Sequence, residues 1–431
     1  MPGFLYSLAL WLALPWMFVR LWWRGRTERL YRSHIAERFG RYAPRDPRSV
    51  IWIHAVSLGE TRAAQSMIAQ IRERFPEYEI LVTHMTATGR GAALDVPLEG
   101  VTRAWLPYDY RFAVQGFLGH FRPSVGILVE TEIWPNLIDE CARQRVPLLL
   151  ANARMSERSA AGYLRLGSLT RSAFAALSAV GAQSETDAER LRRLGAREVV
   201  VTGNMKFDFL PGRAMASVVS LVRQCAGSRP VFVAASTREG EERLILDAFL
   251  AEPGIEALIV IVPRHPQRFA EVARLLGTMG VAYARRSDGE AMAPTVAVLL
   301  GDSLGELPSY YAASDMAFVG GSLVPRGGQN LIEACAAGIP VLFGPHTFNF
   351  SQASDDAVAA GAAVRVASPG ELKQAVQRLL ADPDRRRAMG MAGKAFCERH
   401  RGATARTVDL VAGLLGGKPA ASGARTEDSG S

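Results

Sequence analysis

The stretch VIWIHAVSLGETRAAQSMI, residues 50–68, connects a buried strand to a helix through a polar turn. Residues 50–53 form a continuous apolar run that is typical of a central strand, whereas the residues from Thr61 onward have helical apolar spacing. Glu60 therefore lies where a strand of an α/β fold meets the following helix, at the sheet edge where such folds bind ligands. We predict an α/β fold with a carboxylate at this edge.

The alternation of short apolar strands with helical segments continues along the chain in two series. The candidate strands of the first series are residues 50–54, 79–84, 102–106, 125–129, 147–151, 178–182 and 198–202. Those of the second series are residues 231–236, 257–263, 281–285, 295–300, 315–321, 339–344 and 362–366. Such alternation is the signature of βαβ units and parallel sheets. The sequence therefore predicts two Rossmann-like domains that face each other across a cleft.

Changes in composition and rhythm mark the domain boundaries. We predict a membrane anchor at residues 1–24, an N-terminal Rossmann-like domain at 25–210, an inter-domain linker at 211–229, a C-terminal Rossmann-like domain at 230–415 and a tail at 416–431. The tail, GGKPAASGARTEDSGS, has no apolar pattern and is expected to be disordered. The last helices of the chain could also pack back on the N-terminal domain.

The segment FLYSLALWLALPWMFVRLWW, residues 4–23, is an apolar run of roughly the minimum length that spans a bilayer. A cleaved signal peptide would have charge before the run and small residues after it, but Trp22, Trp23 and Arg24 follow instead. The arginines beyond the run place the next domain on the cytoplasmic side. We expect one uncleaved inner-membrane anchor, and Pro15 and Arg20 leave open that it enters only one leaflet.

The positive charge of the chain is concentrated next to this segment. The net charge is +8, and residues 1–50 hold nine arginines against three acidic residues, so they carry six of the eight charges. A nucleic-acid-binding protein would more often spread its basic residues over a folded domain. We therefore expect an anionic membrane surface, and no nucleic acid, as a partner.

Two classes of protein fit the sequence poorly. The four cysteines are far apart and form no CxxC or Cys/His cluster, and no HExxH spacing occurs, which argues for a reducing compartment and against a zinc site. No GxGxxG follows the first strand, so a nicotinamide-linked oxidoreductase is a weak fit. A metal site made only of histidines and carboxylates stays open, although no typical spacing for one occurs, and we expect no cofactor.

A glycine-rich stretch in the second series, FVGGSLVPRGGQNLIE at residues 318–333, resembles an anion site. Glycines permit close backbone approach, and a helix start near Asn330 would offer free N–H groups with a partial positive charge. We expect a phosphate there, with Glu333 accepting hydrogen bonds from sugar hydroxyls. The alternative is a plain strand–loop–helix turn capped by Asn330 or Gln329.

Two more loops of the second series follow strands and should reach the same edge. VPRHP, residues 262–266, contains Arg264, which would balance a departing phosphate through a charge-assisted bond. GDSLGEL, residues 301–307, places Gly305 and Glu306 before a helix. The alternative for Arg264 alone is an ordinary solvated surface arginine.

In the first series, Glu60 has two interpretations. Ser57 and Glu60 have capping-box spacing, in which Glu60 would only fold back onto the Ser57 backbone N–H. As a base, Glu60 faces the objection that a helix start stabilises the carboxylate and lowers its basicity, although it could still take a proton late in a reaction. Glu130 and Lys206 also follow strands, and their alternatives are a helix-start acid and a solvated lysine.

Taken together, these strings resemble the 3-deoxy-D-manno-octulosonic acid (Kdo) transferases of lipopolysaccharide synthesis, which are membrane-anchored glycosyltransferases with the GT-B fold. The resemblance covers nearly the whole chain except the tail. It rests on the strings HAVSLGE (54–60), ETEIWPNL (130–137), NARMSERS (152–159), GNMKFD (203–208), PRHPQRF (263–269), GDSLGEL (301–307) and GGQNLIE (327–333).

The resemblance implies an inverting, metal-independent enzyme that moves Kdo from CMP-Kdo to the 6′-hydroxyl of a lipid A precursor in the membrane, lipid IVA. Glu60 would be the general base, and Glu130 and Lys206 would stabilise the transition state. The N-terminal domain would hold the acceptor and the C-terminal domain the nucleotide sugar. The residues implied to bind CMP-Kdo are Pro263, Arg264, Leu304, Gly305, Glu306, Asn330, Leu331, Ile332 and Glu333.

Other functions remain open at the level of the sequence. One is a different GT-B enzyme, such as a lipid A disaccharide synthase or a UDP-N-acetylglucosamine epimerase, although these are not expected to carry Glu60 together with the ETEIWPN and GNMKFD strings. The other is a membrane-tethered nucleotide-sugar-binding protein without catalysis.

Overall fold

The computed structural model describes residues 2–46, 48–95, 100–208, 214–251, 254–289 and 296–416. The chain divides into two compact units, Met1–Phe209 with Arg401–Ser431, and Leu210–His400. Each unit contains one seven-stranded parallel sheet. The predicted α/β class with two Rossmann-like sheets is confirmed.

The sheet of the first unit has the strand order β3-β2-β1-β4-β5-β6-β7. Its strands are β1 (Val50–His54), β2 (Glu79–His84), β3 (Val101–Trp105), β4 (Pro123–Val129), β5 (Leu148–Ala153), β6 (Ala179–Ala182) and β7 (Val199–Val201). The helices are α1 (Pro2–Thr27), α2 (Leu58–Arg74), α3 (Ala87–Asp95), α4 (Arg111–Phe121), α5 (Pro135–Arg143), α6 (Glu157–Arg165), α7 (Ser168–Ala175) and α8 (Glu185–Arg193). A 3₁₀ turn, Met205–Asp208, follows β7.

The sheet of the second unit has the strand order β10-β11-β9-β8-β12-β13-β14. Its strands are β8 (Val231–Thr237), β9 (Leu258–Pro263), β10 (Tyr283–Arg285), β11 (Val298–Leu300), β12 (Met316–Val319), β13 (Val341–Phe343) and β14 (Ala363–Arg365). The helices are α9 (Ala216–Ala226), α10 (Glu241–Leu250), α11 (Phe269–Thr278), α12 (Leu307–Ala312), α13 (Ile332–Ala337), α14 (Ser351–Ala359), α15 (Pro369–Ala381) and α16 (Pro383–His400), and α17 (Ala403–Leu415) follows.

Strand β1 is central because both of its faces are apolar and buried. Val50 and Trp52 belong to one hydrophobic cluster of the first unit, and Ile51 and Ile53 belong to the cluster on the opposite face. The strand pairs in parallel with β2 on one side and β4 on the other. The loops that follow these three strands therefore emerge side by side at one edge of the sheet.

Helix α1 is long and apolar enough to cross a membrane, judged by its length and composition. One face leans on the first unit, where the Tyr6 hydroxyl donates to Asp109 at 2.9 Å and the Tyr110 hydroxyl donates to the Leu10 carbonyl at 2.6 Å. Large side chains such as Phe4 and Leu12 remain exposed on the other face.

The predicted linker at 211–229 is mostly a helix. Residues 209–213 lie outside the described part of the chain, and α9 begins at Ala216 within the second unit. Val218, Leu221, Val222 and Cys225 recur at helical spacing and are buried. Burial of this apolar face explains why the segment forms a helix rather than a flexible connection.

Helix α17 is part of the first unit, so the second unit ends at His400 rather than at residue 415. Its Val408 and Val411 join the apolar cluster that contains Met67 and Ile71 of α2. From the sequence it was open whether the last helices pack back on the N-terminal domain. Of the tail predicted at 416–431, residues 417–431 lie outside the described residues.

Gly126 in β4 is predicted to be irreplaceable for packing reasons. A Cβ at this position would lie 2.5 Å from a Leu148 methyl carbon and 2.7 Å from the Trp52 ring. We expect Gly126→Ala to lower the free energy of unfolding by about 1–3 kcal/mol, measured by urea denaturation, because the indole cannot move aside in a packed core.

The control is Gly119→Ala on α4, where an added Cβ meets nothing within 4 Å. There the gain in helix propensity should stabilise the protein by about 0.5–1 kcal/mol. Equal unfolding midpoints for the two variants would contradict the packing of β4 against β1 and β5.

Candidate active site

Glu60 occupies the first turn of α2, directly after the loop that leaves β1. Ser57 caps the helix, and the Glu60 side chain folds back over it. The Val56 backbone N–H donates to Glu60 Oε2 at 2.6 Å, and the Ser57 hydroxyl donates to Oε1 at 3.0 Å. The capping interaction predicted as the alternative for Glu60 is therefore formed, with the Val56 amide as its short backbone donor.

Burial and, next, the charge of Glu130 raise the pKa of Glu60 to about 7, while the bonds from Val56 and Ser57 oppose the rise. The net change is therefore opposite to the lowered basicity expected at a helix start, because loss of solvent and the neighbouring charge outweigh the hydrogen bonds. A carboxyl group with this pKa exists in both protonation states near neutral pH, as general base catalysis requires.

The loop after β2 supports the segment that carries Glu60. The Thr86 hydroxyl donates to the Val56 carbonyl at 2.9 Å. A Cβ on Gly89 would lie 2.9 Å from the same carbonyl oxygen, so only glycine fits there without a shift. The position of the Val56–Glu60 loop is thus determined by two neighbouring strands.

Glu130 and Lys206 form an ion pair. Lys206 Nζ lies 3.2 Å from Glu130 Oε1, and both side chains are about one-third exposed or less. Glu130 has a φ of 65°, which is uncommon for a residue with a Cβ. Helix α5 begins only at Pro135, so the helix-start alternative for Glu130 is wrong, and Lys206 is not simply solvated.

Asn152, which the sequence analysis did not single out, positions Lys206. Asn152 is fully buried at the end of β5, has a φ of 54°, and accepts the Met205 amide through Oδ1 at 3.1 Å. Because Met205 and Lys206 share one 3₁₀ turn, this bond fixes the backbone from which the lysine projects. The sequence feature that could have identified Asn152 is a polar residue within an otherwise apolar strand.

Glu132 is a second residue that sequence reasoning missed. It lies two residues beyond Glu130 and accepts a hydrogen bond from Trp134 Nε1 at 2.9 Å. Burial, and next the charge of Glu60, raise the pKa of Glu132 to about 7. Glu60, Glu130, Glu132 and Lys206 therefore form one acidic cluster with a single lysine at the edge of the first sheet.

In the second unit, Arg264 follows β9 as predicted. Its Nε donates to Gln329 Oε1 at 3.2 Å, and its backbone N–H donates to the Thr237 carbonyl at 3.0 Å. Arg264 thus joins three loops, those that follow β8, β9 and β12. Gln329 was considered in the sequence only as a possible helix cap.

The glycine-rich loop after β12 already holds an internal anion. The backbone N–H groups of Gly321, Ser322 and Leu323 donate to the Glu241 carboxylate at 2.6, 3.0 and 2.9 Å. These amides already have an acceptor and are therefore not open to a phosphate. Glu241 itself is completely buried.

The helix expected near Asn330 begins at Ile332, and α13 has only six residues. Asn330 Oδ1 accepts the Ile332 amide at 3.1 Å, and Asn330 Nδ2 donates to Glu333 Oε1 at 3.1 Å. The alternative in which Asn330 caps this turn is therefore observed. Leu331 and Ile332 are buried, so they can offer a ligand only their backbone.

The loop at residues 304–306 has an exposed tip and a fixed base. Leu304 is 71% exposed, and Gly305 has a φ of 79°. Glu306 is buried and accepts hydrogen bonds from Arg286 Nε at 3.1 Å and from the Ser303 hydroxyl. Glu306 therefore anchors the loop, and Arg286 is a partner that the sequence did not reveal.

Within the described residues, no group of three or more His, Cys, Asp or Glu side chains is arranged to hold a metal ion. All four cysteines are buried, and none of them forms a disulfide.

Comparisons with known proteins agree with this architecture. Residues 33–209 match the family model described as 3-deoxy-D-manno-octulosonic-acid transferase, and residues 285–396 match the model described as glycosyl transferases group 1. The two matches fall on the first and second units respectively.

Relatives with the same description align with this chain over nearly their whole length. A 3-deoxy-D-manno-octulosonic acid transferase of Bordetella pertussis is 45% identical over 95% of this chain and 99% of its own. One of Haemophilus influenzae is 37% identical over 88% of this chain and 91% of its own. A UDP-GlcNAc 2-epimerase from Neisseria meningitidis, solved with UDP-GlcNAc, has a TM-score of 0.58 at 15% identity, covering 84% of this chain and 99% of its own. That likeness concerns the fold alone, which is of the GT-B type.

The raised pKa of Glu60 predicts a pH-dependent effect of Glu60→Gln on stability. Between the ordinary value of 4.5 and about 7, the folded protein binds more protons than the unfolded chain. The wild type therefore loses stability as the pH rises through this window, whereas the glutamine does not titrate. We expect the variant to gain about 1–2 kcal/mol relative to wild type between pH 5 and pH 8, measured by thermal unfolding.

The matched control is Glu73→Gln at the exposed end of α2. Its stability relative to wild type should be the same at both pH values. An equally constant offset for Glu60→Gln would show that the Glu60 carboxyl titrates normally and would contradict its desolvation.

Proposed function

Because the chain belongs to the 3-deoxy-D-manno-octulosonic acid (Kdo) transferase family, we propose that it moves Kdo from CMP-Kdo to the 6′-hydroxyl of lipid IVA, a lipid A precursor. The chain is a glycosyltransferase of this family. We propose four further points: the donor, the acceptor, inversion at the anomeric carbon, and a place in lipopolysaccharide core synthesis. The observation that carries it is the desolvated Glu60 beside the Glu130–Lys206 ion pair.

Glu60 is the proposed general base on the acceptor hydroxyl. A carboxylate has about four lone-pair sites, and the Val56 N–H together with the Ser57 hydroxyl and backbone N–H use three of them, so one remains for the substrate. The hydroxyl proton passes to Glu60 as the new C–O bond forms and the bond from the anomeric carbon to the phosphate oxygen breaks. Attack from the face opposite the phosphate gives inversion.

Glu130 and Lys206 are the proposed stabilisers of the transition state. Positive charge develops on the sugar as the phosphate leaves, and an ionised Glu130 favours it, whereas Lys206 favours negative charge on the reacting oxygens. The left-handed backbone of Glu130 and the Asn152 bond hold this pair in place before substrate arrives. Such preorganisation is what makes charged groups effective in catalysis.

The second unit is the proposed donor site. The CMP-Kdo contacts are proposed at Pro263, Arg264, Leu304, Gly305, Glu306, Asn330, Leu331, Ile332 and Glu333. Arg264 is the cation for the departing phosphate, and its position is fixed by Gln329 and Thr237. We propose that this cation makes a divalent metal unnecessary, which a transfer assay in the presence of a chelator would test.

The N-terminal helix is the proposed membrane anchor. Its exposed apolar side chains and the arginines after it fit an anionic inner-membrane surface, with both units on the cytoplasmic side. Anchoring keeps the protein at the surface where a lipid acceptor resides and so raises the encounter rate.

The proposed reaction predicts a defined product. Purified full-length protein incubated with CMP-Kdo and lipid IVA should give an acceptor whose mass, measured by mass spectrometry, increases by one or more Kdo residues. A parallel incubation with UDP-GlcNAc in place of CMP-Kdo should leave the acceptor unchanged. An acceptor that keeps its mass with CMP-Kdo would refute the proposed function.

Replacement of the base predicts a split between binding and chemistry. Glu60→Gln should lower the rate of Kdo transfer by about 10²–10⁴-fold, because the amide cannot accept the proton. CMP binding, measured by calorimetry, should stay unchanged since CMP contacts the second unit. Glu73→Gln serves as the control on the same helix, and transfer by Glu60→Gln at the wild-type rate would remove Glu60 from the mechanism.

A further inference from the structure

We propose that Arg238 and Arg264 form a two-cation site for the donor, in which Arg264 takes the phosphate and Arg238 takes the carboxylate of the transferred sugar. This inference rests on the proposed function and adds to it a residue that selects an acidic sugar. Arg238 lies in the loop STREGEE, residues 236–242, after β8, and none of the predicted motifs includes it.

The loop after β8 holds Arg238 in a fixed position. Its backbone N–H donates to Glu241 Oε2 at 2.8 Å, and the neighbouring Thr237 hydroxyl donates to Glu242 Oε1 at 2.7 Å. Ser236, two residues earlier, has a φ of 56°, so the chain turns sharply where the strand ends. A strained turn of this kind is retained where the surrounding structure determines it, often at a ligand site.

Arg238 and Arg264 lie on the same small surface around Gln329. Arg264 Nε donates to Gln329 Oε1 at 3.2 Å. A Cβ on Gly321 would lie 3.2 Å from Gln329 Nε2 and 3.4 Å from Arg238 Cγ, so the arginine stem and the amide both approach this glycine. The loops after β8, β9 and β12 therefore bring two guanidinium groups together at the edge of the second sheet.

The charge of Arg238 is not neutralised by a carboxylate. Across the described part of the chain, no Asp or Glu oxygen lies within 4 Å of its guanidinium, and its side-chain contact is Nη1 to His265 Nε2 at 2.6 Å. Burial, and then the charges of Arg238, Arg264 and Arg268, lower the pKa of His265, so the ring is neutral and accepts this bond.

Three nearby acidic groups, Glu241, Glu242 and Glu271, are already engaged elsewhere. Arg268 pairs with Glu242 and, at 3.0 Å, with Glu271. The carboxylate of Glu241 is held by the amides of the glycine-rich loop. The guanidinium of Arg238, beside a neutral imidazole, therefore keeps a positive charge that an anionic ligand would balance.

The chemistry of the donor supplies two anions at matching positions. The anomeric carbon of Kdo in CMP-Kdo carries both the phosphate oxygen and the C1 carboxylate, so the two negative groups are neighbours. One planar guanidinium can bind each group through paired N–H donors. A nucleotide donor with a neutral sugar has only its phosphate groups to offer and would not require the second arginine.

The test compares CMP-Kdo with CMP, which lacks the carboxylate. Arg238→Ala should raise the KM for CMP-Kdo by about tenfold or more, because a charge-assisted pair is lost. The inhibition constant of CMP in the same assay should change by less than about twofold. Arg264→Ala should weaken both, and Arg243→Ala, an exposed residue of α10 near Asp247, should change neither.

Arg238→Lys keeps the charge without the planar fork and should recover part of the donor affinity, and unchanged thermal unfolding should show that both variants fold. An unchanged KM for CMP-Kdo in Arg238→Ala would overturn the proposal, and so would an equal loss of CMP affinity, which would assign Arg238 to the phosphate. If the wild type transfers no Kdo, the proposed function fails by itself. The role of Arg238 is then decided by equilibrium binding of CMP-Kdo against CMP.

Discussion

The candidate active site of the first unit depends on the cost of burying a carboxylate at the junction of β1 and α2. Removal of Glu60 from water, next to a second carboxylate, Glu130, raises its pKa to about 7 although hydrogen bonds from Val56 and Ser57 oppose the rise. The buried β1 and the loop after β2 hold the side chain in this environment. The fold thereby keeps the pKa of a carboxyl group near 7 in a position that would otherwise favour its ionised form.

The candidate site of the second unit carries positive rather than negative charge. The amides of its glycine-rich loop, which resemble a phosphate cradle in sequence, are satisfied by Glu241 and serve to hold the loop. In our proposal, positive charge for a donor therefore comes from two side chains, Arg264 and Arg238. The first unit has an acidic cluster at the edge of its sheet and the second unit has a basic pair at the edge of its own, which fits the proposed transfer from an anionic donor to a hydroxyl.

The sequence predicted the two sheets well because buried parallel strands are largely apolar runs, and each of the fourteen predicted runs overlaps a strand. The sequence could not decide whether the pKa of Glu60 is raised or lowered. The spacing reveals a capping box, but it does not show how strongly burial disfavours the ionised carboxylate. Residues 211–229 were predicted as a linker, and the structure forms α9 at 216–226 within this segment. Arg238 and Asn152 were missed because a lone polar residue gains meaning only from neighbours that are distant in the chain.

The most direct test of the account is the pH dependence of kcat/KM for Kdo transfer. If Glu60 is the desolvated base, the acid side of the profile should have its midpoint near pH 7 in the wild type. Glu130→Gln should move that midpoint to lower pH, because it removes a negative charge that faces Glu60 while Glu132 and Lys206 remain. A wild-type midpoint near 4.5, or one that Glu130→Gln leaves in place, would contradict the account.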